Sequence, residues 1–365
     1  MFSRRLQWDS PQNPLSLLRT EKGARVLDLT ESNPTRAGFT YPSAEILAAL
    51  ADPRALTYEP TPRGMVSARE AVARQYGVGV ERILLTASTS EAYSFLFQLL
   101  ADPGDEILCP RPSYPLFEFL AGLTNVTVRQ YPLRYDGAWH VDLDALRASI
   151  TDRTRAVVVV HPNNPTGSYL GEGEIEALEE LGVAIISDEV FGPRTLAGER
   201  RALTFSMSGL SKLAGLPQMK LGWIVASGPG HERALDALEL IADTYLSVAA
   251  PVQLALPRLL ELAEPMQAQI AARTSGNKEY LVEALAGSPA NLLNSEGGWY
   301  AVVQVPRTRS EEEWCLTLLR EHDVLVQPGF FFDFEGEAFL VVSLLTEPAV
   351  FQEGVRRLRA ILARG

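Results

Sequence analysis

The chain has 365 residues, 46% of them apolar and 21% charged, which suits two packed units better than one small core. Its 33 basic and 45 acidic residues leave a formal net charge of −12, so a nucleic-acid partner, which needs a basic face, is not expected. No repeat, low-complexity tract or apolar run of membrane-spanning length occurs, which argues against solenoids, disordered scaffolds and membrane-spanning helices.

In chain order, the start, Met1-Phe-Ser-Arg-Arg-Leu-Gln-Trp-Asp, lacks the apolar stretch of a secretory signal, and a cytoplasmic protein is expected. The first 35 residues are rich in proline and turn formers and are expected to pack on the C-terminal part. Candidate strands then follow at Arg82–Thr86, Glu106–Cys109, Val126–Tyr131, Ala156–His161, Val183–Ser187, Leu203–Met207 and Leu221–Val225. Segments of helical period, such as Glu91–Leu100, Leu143–Ile150 and Glu172–Leu181, separate them. Near-continuous apolar runs such as Ala156–Val160 read as strands buried on both faces of a parallel sheet. From about residue 250 a long helical region, Pro251–Leu285, precedes shorter strands at Trp299–Val305, Val324–Val326 and Phe339–Leu344, and a closing helix covers Ala349–Ala363. The fold class is α/β, with residues 36–255 expected as a large domain and residues 1–35 with 256–365 as a smaller one.

In open α/β sheets ligands sit beyond the carboxyl ends of the strands, and four strand ends here are rich in polar groups. Arg82–Thr86 runs into Ala87-Ser-Thr-Ser-Glu, where Ser88 and Glu91 predict a capping box and a helix start able to hold an anion. Ala156–His161 runs into Pro162-Asn-Asn-Pro-Thr-Gly, a turn that puts an amide at the sheet edge. Val183–Ser187 runs into Asp188-Glu189, where a buried carboxylate needs a partner such as a protonated ring nitrogen. Leu203–Met207 runs into Ser208-Gly-Leu-Ser-Lys, where Lys212 has apolar neighbours that suit an amine neutral enough to attack a carbonyl. Only four lysines occur, at 22, 212, 220 and 278. Cys109 and Cys315 fit no disulfide or metal pattern and are expected as buried apolar residues.

These strand ends, together with Ser32-Asn-Pro, Tyr58, Arg63-Gly64, Pro103-Gly-Asp, Pro110-Arg-Pro-Ser-Tyr-Pro, Leu221-Gly-Trp and Glu296-Gly-Gly-Trp-Tyr, stand in a specific order. As an ordered set the chain resembles the class I/II aminotransferases of fold type I, over nearly its whole length. The resemblance implies a large domain with a mostly parallel seven-stranded sheet between helices, a smaller α/β domain, and pyridoxal 5′-phosphate (PLP) as cofactor. By the same resemblance Lys212 would hold PLP covalently and shuttle the substrate proton, and Asp188 would keep the pyridine nitrogen protonated. Asn164 would bond the phenolic oxygen and Tyr114 would stack on the ring. Ser88, Thr89, Ser211 and Lys220 would hold the phosphate. Tyr58 would reach the phosphate of a neighbouring subunit, implying a homodimer with sites at its interface.

The chain departs from the family pattern at several places. Phe191 stands where a tyrosine often bonds the phenolic oxygen, Lys220 where an arginine usually holds phosphate, and Gly209 where a serine is common. The arginine that binds the substrate carboxylate would fall near Val341, yet no Lys or Arg occurs between Arg320 and Arg356. Arg36 is the candidate substitute, with Asn33 and Trp299 beside the substrate. Amino transfer between an amino acid and a 2-oxo acid is the expected reaction. A PLP lyase, decarboxylase or cyclase is the alternative that the missing arginine leaves open. A PLP sensor without catalysis is disfavoured, because no basic helix-turn-helix precedes the resemblance.

Overall fold

Val157 and Val159 face one layer of the interior while Val158 and Val160 face the other, the period-two pattern of a strand covered on both sides. The structure is a computed structural model and describes residues 2–9 and 12–363. Its strands are β1 (Leu27–Asp28), β2 (Ile83–Thr86), β3 (Glu106–Arg111), β4 (Thr127–Tyr135), β5 (Trp139–Val141), β6 (Thr154–Val160), β7 (Ala184–Asp188), β8 (Thr204–Gly209), β9 (Gly222–Ser227), β10 (Asn291–Leu292), β11 (Tyr300–Gln304), β12 (Val324–Leu325), β13 (Gln327–Pro328) and β14 (Phe339–Ser343).

The main sheet has eight strands in the order β2-β9-β8-β7-β6-β3-β4-β5. β8, β7, β6, β3 and β4 run parallel to their neighbours in that series, while β9 is antiparallel to both β2 and β8. β2 therefore points the same way as the parallel set, and the carboxyl ends of β2, β3, β6, β7 and β8 open on one edge. The seven strands expected from the apolar runs all form. The additional strand β5 returns antiparallel on β4, and at three residues it is too short to show a period. The helices Thr89–Leu100 and His231–Tyr245 pack on one face around Leu96, Ile186, Phe205 and Leu238. The other face is covered in two parts, around Leu85, Trp223 and Leu256 and around Val157, Ile185 and Leu178.

A second core joins the two ends of the chain. Leu15 and Leu29 pack with Leu281, Trp314, Val342, Phe351 and Leu358, and β1 pairs in parallel with β12. The order β10-β11-β14-β13 forms a small antiparallel sheet in this region. The long helical region divides into Ala250–Glu261 and Ala263–Leu285. Pro265, in the first turn of the second helix, has no N–H to continue the first.

Candidate active site

Lys212 lies in the short helix Leu210–Leu213 that follows β8. Its Nζ sits 5.0 Å from the centroid of the Trp299 ring and 5.4 Å from that of Phe191, and the two rings meet edge-on. Burial in this setting lowers the ammonium pKa, and the charge of Asp188 opposes the shift only in part. The amine is thus held toward its neutral, nucleophilic form.

Asp188 ends β7 and is 6% exposed. Tyr93 donates to its Oδ2 at 3.0 Å and the Val190 amide to its Oδ1 at 3.3 Å. Burial still raises the carboxyl to about 6, against the lowering by these two bonds and by Lys212. A cationic ring nitrogen placed against this oxygen pair would restore its ionised form. Glu189, next along, is also buried and is pushed up to about 7 by burial. Its Oε1 accepts from Ser187 Oγ and the Leu196 amide, each at 2.8 Å, while its Oε2 is buried without a hydrogen-bond partner.

Asn164 is buried in the loop after β6, and its Oδ1 is buried without a partner. The neighbouring Asn163, by contrast, is fully used: it accepts from Ser113 Oγ and donates to the Pro112 carbonyl and Thr166 Oγ1. His161 braces the same loop. Its Nδ1 accepts from the Leu170 amide at 3.1 Å, and burial first, then Arg194 and Arg200, lower its pKa to about 4. Gly167 (φ +69°) closes the loop against the following domain segment: the Gly297 amide donates to its carbonyl at 2.9 Å, and a Cβ would lie 2.2 Å from the Gly297 oxygen. Only glycine fits there, and the contact brings Trp299 toward Lys212.

Ser88 caps the helix Thr89–Leu100, accepting from the Glu91 amide at 3.2 Å. The reciprocal half of the expected capping box is redirected: Glu91 Oε2 accepts from the Ala87 amide and Ser247 Oγ rather than from Ser88. β8 and β9 approach each other at Gly209 and Gly222. A Cβ on Gly209 would lie 2.9 Å from the Gly222 Cα, and one on Gly222 would lie 3.2 Å from the Ser88 carbonyl carbon. This squeeze brings Ser88 and Thr89 to the edge where Ser211 sits, and it leaves no room for a serine at 209. Lys220 follows the turn Pro217–Met219 in a left-handed conformation, with an exposed side chain. Tyr114 packs edge-on against Phe117, and burial followed by the nearby Asp188 and Tyr300 raises its hydroxyl to about 12.

Other expected residues are not gathered there. Tyr58 is 80% exposed in a surface hollow with Leu56 and Leu246. Asn33 Oδ1 accepts from Thr35, capping the turn Pro34–Arg36. Arg36 is exposed, its side chain makes no hydrogen bond or ion pair among the described residues, and it does not line the cavity of about 480 Å³ around Lys212. Val341 is fully buried among Leu293, Val302 and Phe332, so the expected position of a carboxylate-binding arginine is filled by an apolar cluster. Sequence reading missed Tyr93, which stands four residues after Thr89, on the same helix face.

The profile of the family described as aminotransferase class I and II matches residues 24–358. The chain belongs to this family. The glutamate-pyruvate aminotransferase AlaA of Escherichia coli K12 is 31% identical to it over 361 residues, 89% of this chain and 87% of that protein. AlaA of Haemophilus influenzae is 25% identical, over 97% and 94%. An E. coli aminotransferase crystal structure superposes with a TM-score of 0.85 at 25% identity, covering 100% of this chain and 98% of that one.

As a class I and II aminotransferase the protein is a PLP-dependent transferase of amino groups, of the fold-type I architecture. The donor set fits that cofactor: an unpartnered buried amide at Asn164, a buried carboxyl at Asp188, and a desolvated primary amine at Lys212. No helix among the described residues is long and apolar enough to cross a membrane.

Proposed function

We propose that this aminotransferase moves the amino group of glutamate to a small 2-oxo acid such as pyruvate, with Lys212 as its catalytic lysine. The observation that carries the reading is the half-buried Lys212, its amine desolvated and lowered in pKa between Phe191 and Trp299 and opposed by Asp188. The substrate pair is suggested by AlaA of E. coli and of H. influenzae, both described as glutamate-pyruvate aminotransferases.

In this reading Asp188, oriented by Tyr93, would hold the pyridine nitrogen of PLP, Asn164 would bond the phenolic oxygen and Tyr114 would face the ring. Ser88, Thr89, Ser211 and Lys220 would take the phosphate, with the free amides of the helix Thr89–Leu100 adding to the anion site. When bound, PLP supplies the electron sink for the pair left at the substrate α-carbon. Lys212 Nζ takes the α-proton and returns it, a task that requires a neutral amine at working pH. Trp299 and Phe191 exclude water around that amine.

Tyr58, exposed on one chain, reaches the phosphate site of a second copy in a homodimer. We place the enzyme in the cytoplasm and in amino-acid biosynthesis. The large domain is assigned to residues 36–255 and the small one to 1–35 with 256–365. The shared core of Leu15, Leu29 and Phe351 supports the second unit, and the helix Ala250–Glu261 runs across the boundary between the two.

The test is an assay with PLP, glutamate and pyruvate that measures alanine and 2-oxoglutarate, with a panel of other amino acids alongside. Equimolar alanine and 2-oxoglutarate are expected. Turnover confined to other donor–acceptor pairs would overturn the substrate assignment. Release of carbon dioxide or ammonia without an amino product would overturn the reaction.

A further inference from the structure

Both partners of an amino transfer carry a carboxylate on the carbon that reacts. A carboxylate entering a cavity with a largely apolar lining must find a cation or lose its solvation without return. Of the charged side chains that line the cavity beside Lys212, two belong to Lys212 and Glu189, and the third is Arg194. Lys212 is held toward neutrality for its own task, and Glu189 carries no positive charge in either protonation state. The apolar cluster at Val341 offers nothing on the other side.

Arg194 is built for the part. It follows Gly192 and Pro193 in the loop after β7, and this loop lies flat on Tyr169: a Cβ at Gly192 would fall 2.2 Å from the Tyr169 hydroxyl and 2.6 Å from Pro162 Cδ. The packing sets the guanidinium over the Tyr169 ring, its Cζ 4.2 Å from the centroid. Stacking occupies the face of the guanidinium and leaves its edge of N–H donors free. Those donors are unspent, since Arg194 makes no hydrogen bond among the described residues. Its nearest carboxylate, Glu296 Oε2, stands off at 3.8 Å, and the other Glu296 oxygen accepts from the Tyr169 amide at 3.4 Å. With its side chain 58% exposed, Arg194 stands where an entering anion meets it first.

We propose that Arg194 is the residue that binds the substrate α-carboxylate, by an edge-on pair of N–H bonds made while it remains stacked on Tyr169. The proposal rests on the amino-transfer reading. It assigns to Arg194 the role that the sequence suggested for Arg36.

The experiment measures binding to the PLP-loaded enzyme of 2-aminoisobutyrate, which has no α-hydrogen to lose, and of its carboxamide. Binding is followed by calorimetry, in wild type, Arg194→Gln, Arg194→Lys and Arg36→Gln. Wild type is expected to prefer the carboxylate. Arg194→Gln should weaken carboxylate binding by about tenfold to a hundredfold, as for loss of hydrogen bonds to a charged group, and leave the carboxamide unchanged. Arg194→Lys should fall between, having charge without the fork, and Arg36→Gln should match wild type. In steady state, Arg194→Gln should raise KM for donor and acceptor alike. The proposal is overturned if wild type shows no preference, if Arg194→Gln keeps it, if Arg36→Gln loses it, or if only dicarboxylic substrates are affected. A wild-type enzyme that binds the carboxylate preferentially but turns over no amino acid would sink the amino-transfer reading and leave Arg194 standing.

Discussion

The Tyr93 hydroxyl donates to Asp188 Oδ2 at 3.0 Å, across 95 residues of chain, inside the layer between the main sheet and the helix Thr89–Leu100. The bond stabilises the ionised carboxylate, which burial alone would protonate. Tyr93→Phe removes it, so the Asp188 pKa rises further above its ordinary value of 3.8. A protonated Asp188 cannot pair with a cationic ring nitrogen. PLP affinity in Tyr93→Phe is therefore expected to drop several-fold near about pH 6.5, and to approach wild type above about pH 8, where the acid is ionised in both proteins. Equilibrium titration with PLP at the two pH values checks this; an equal loss at both would mean that Tyr93 serves only packing.

Lys212→Ala and Lys212→Arg make a paired test of the amine. Arginine keeps a cation beside Asp188 but supplies no primary amine and no base at neutral pH. Both variants are expected to lose about 10⁴-fold or more in turnover, the upper range for removal of a positioned acid–base group. Borohydride reduction of the loaded wild type, followed by peptide mapping, should put the pyridoxyl group on Lys212. A label on Lys220 or Lys278 would refute the assignment.

The edge where chemistry-bearing residues collect was legible because parallel strands advertise themselves as unbroken apolar runs, and the residues after them are polar. Lys212, Asp188 and the Asn163-Asn164 turn were singled out in this way, and the family resemblance chose Asn164 of the pair. The first 35 residues, rich in proline and turn formers, were expected to pack on the C-terminal part, and Leu15 and Leu29 lie in its core. What could not be read were contacts between distant residues. Tyr93 looks like any core aromatic until Asp188 is seen beside it, and Arg194 like any loop cation until Tyr169 lies beneath it. Arg36 was chosen for its place in the chain, but the turn capped by Asn33 leaves its side chain in solvent. β5 escaped notice because three residues cannot show a period.

Gly209 looked in the sequence like a lost serine of the phosphate site. The structure gives it a packing role, since a Cβ there would meet the Gly222 Cα and the Leu221 carbonyl oxygen, each at 2.9 Å. The neighbours are backbone atoms and cannot swing aside. Gly209→Ser is therefore expected to push β9 from β8, to cost about 1–3 kcal/mol as other overpacked sites do, and to weaken PLP binding rather than add a phosphate contact. Thermal unfolding and PLP titration of the variant check both parts; tighter PLP binding would show that the missing hydroxyl, and not the space, was the limit.

Glu189 gives a prediction about pH. Its carboxyl is raised from an ordinary 4.5 to about 7 by burial, so the folded protein holds the proton more tightly than the unfolded chain does. For an acid shifted upward, the protonated form carries the stability: it is fully present below about pH 4.5 and is lost as pH rises to about 7, by at most about 3 kcal/mol. Glu189→Gln keeps an acceptor for Ser187 and the Leu196 amide and replaces the unpartnered Oε2 with a neutral amide, so it removes this loss. In urea unfolding of the cofactor-free protein, the variant is expected to match wild type near about pH 5 and to exceed it by about 1–3 kcal/mol near about pH 8. A constant difference across that range would mean that Glu189 does not titrate there, and that the hydrogen bonds from Ser187, Thr195 and the Leu196 amide outweigh its burial.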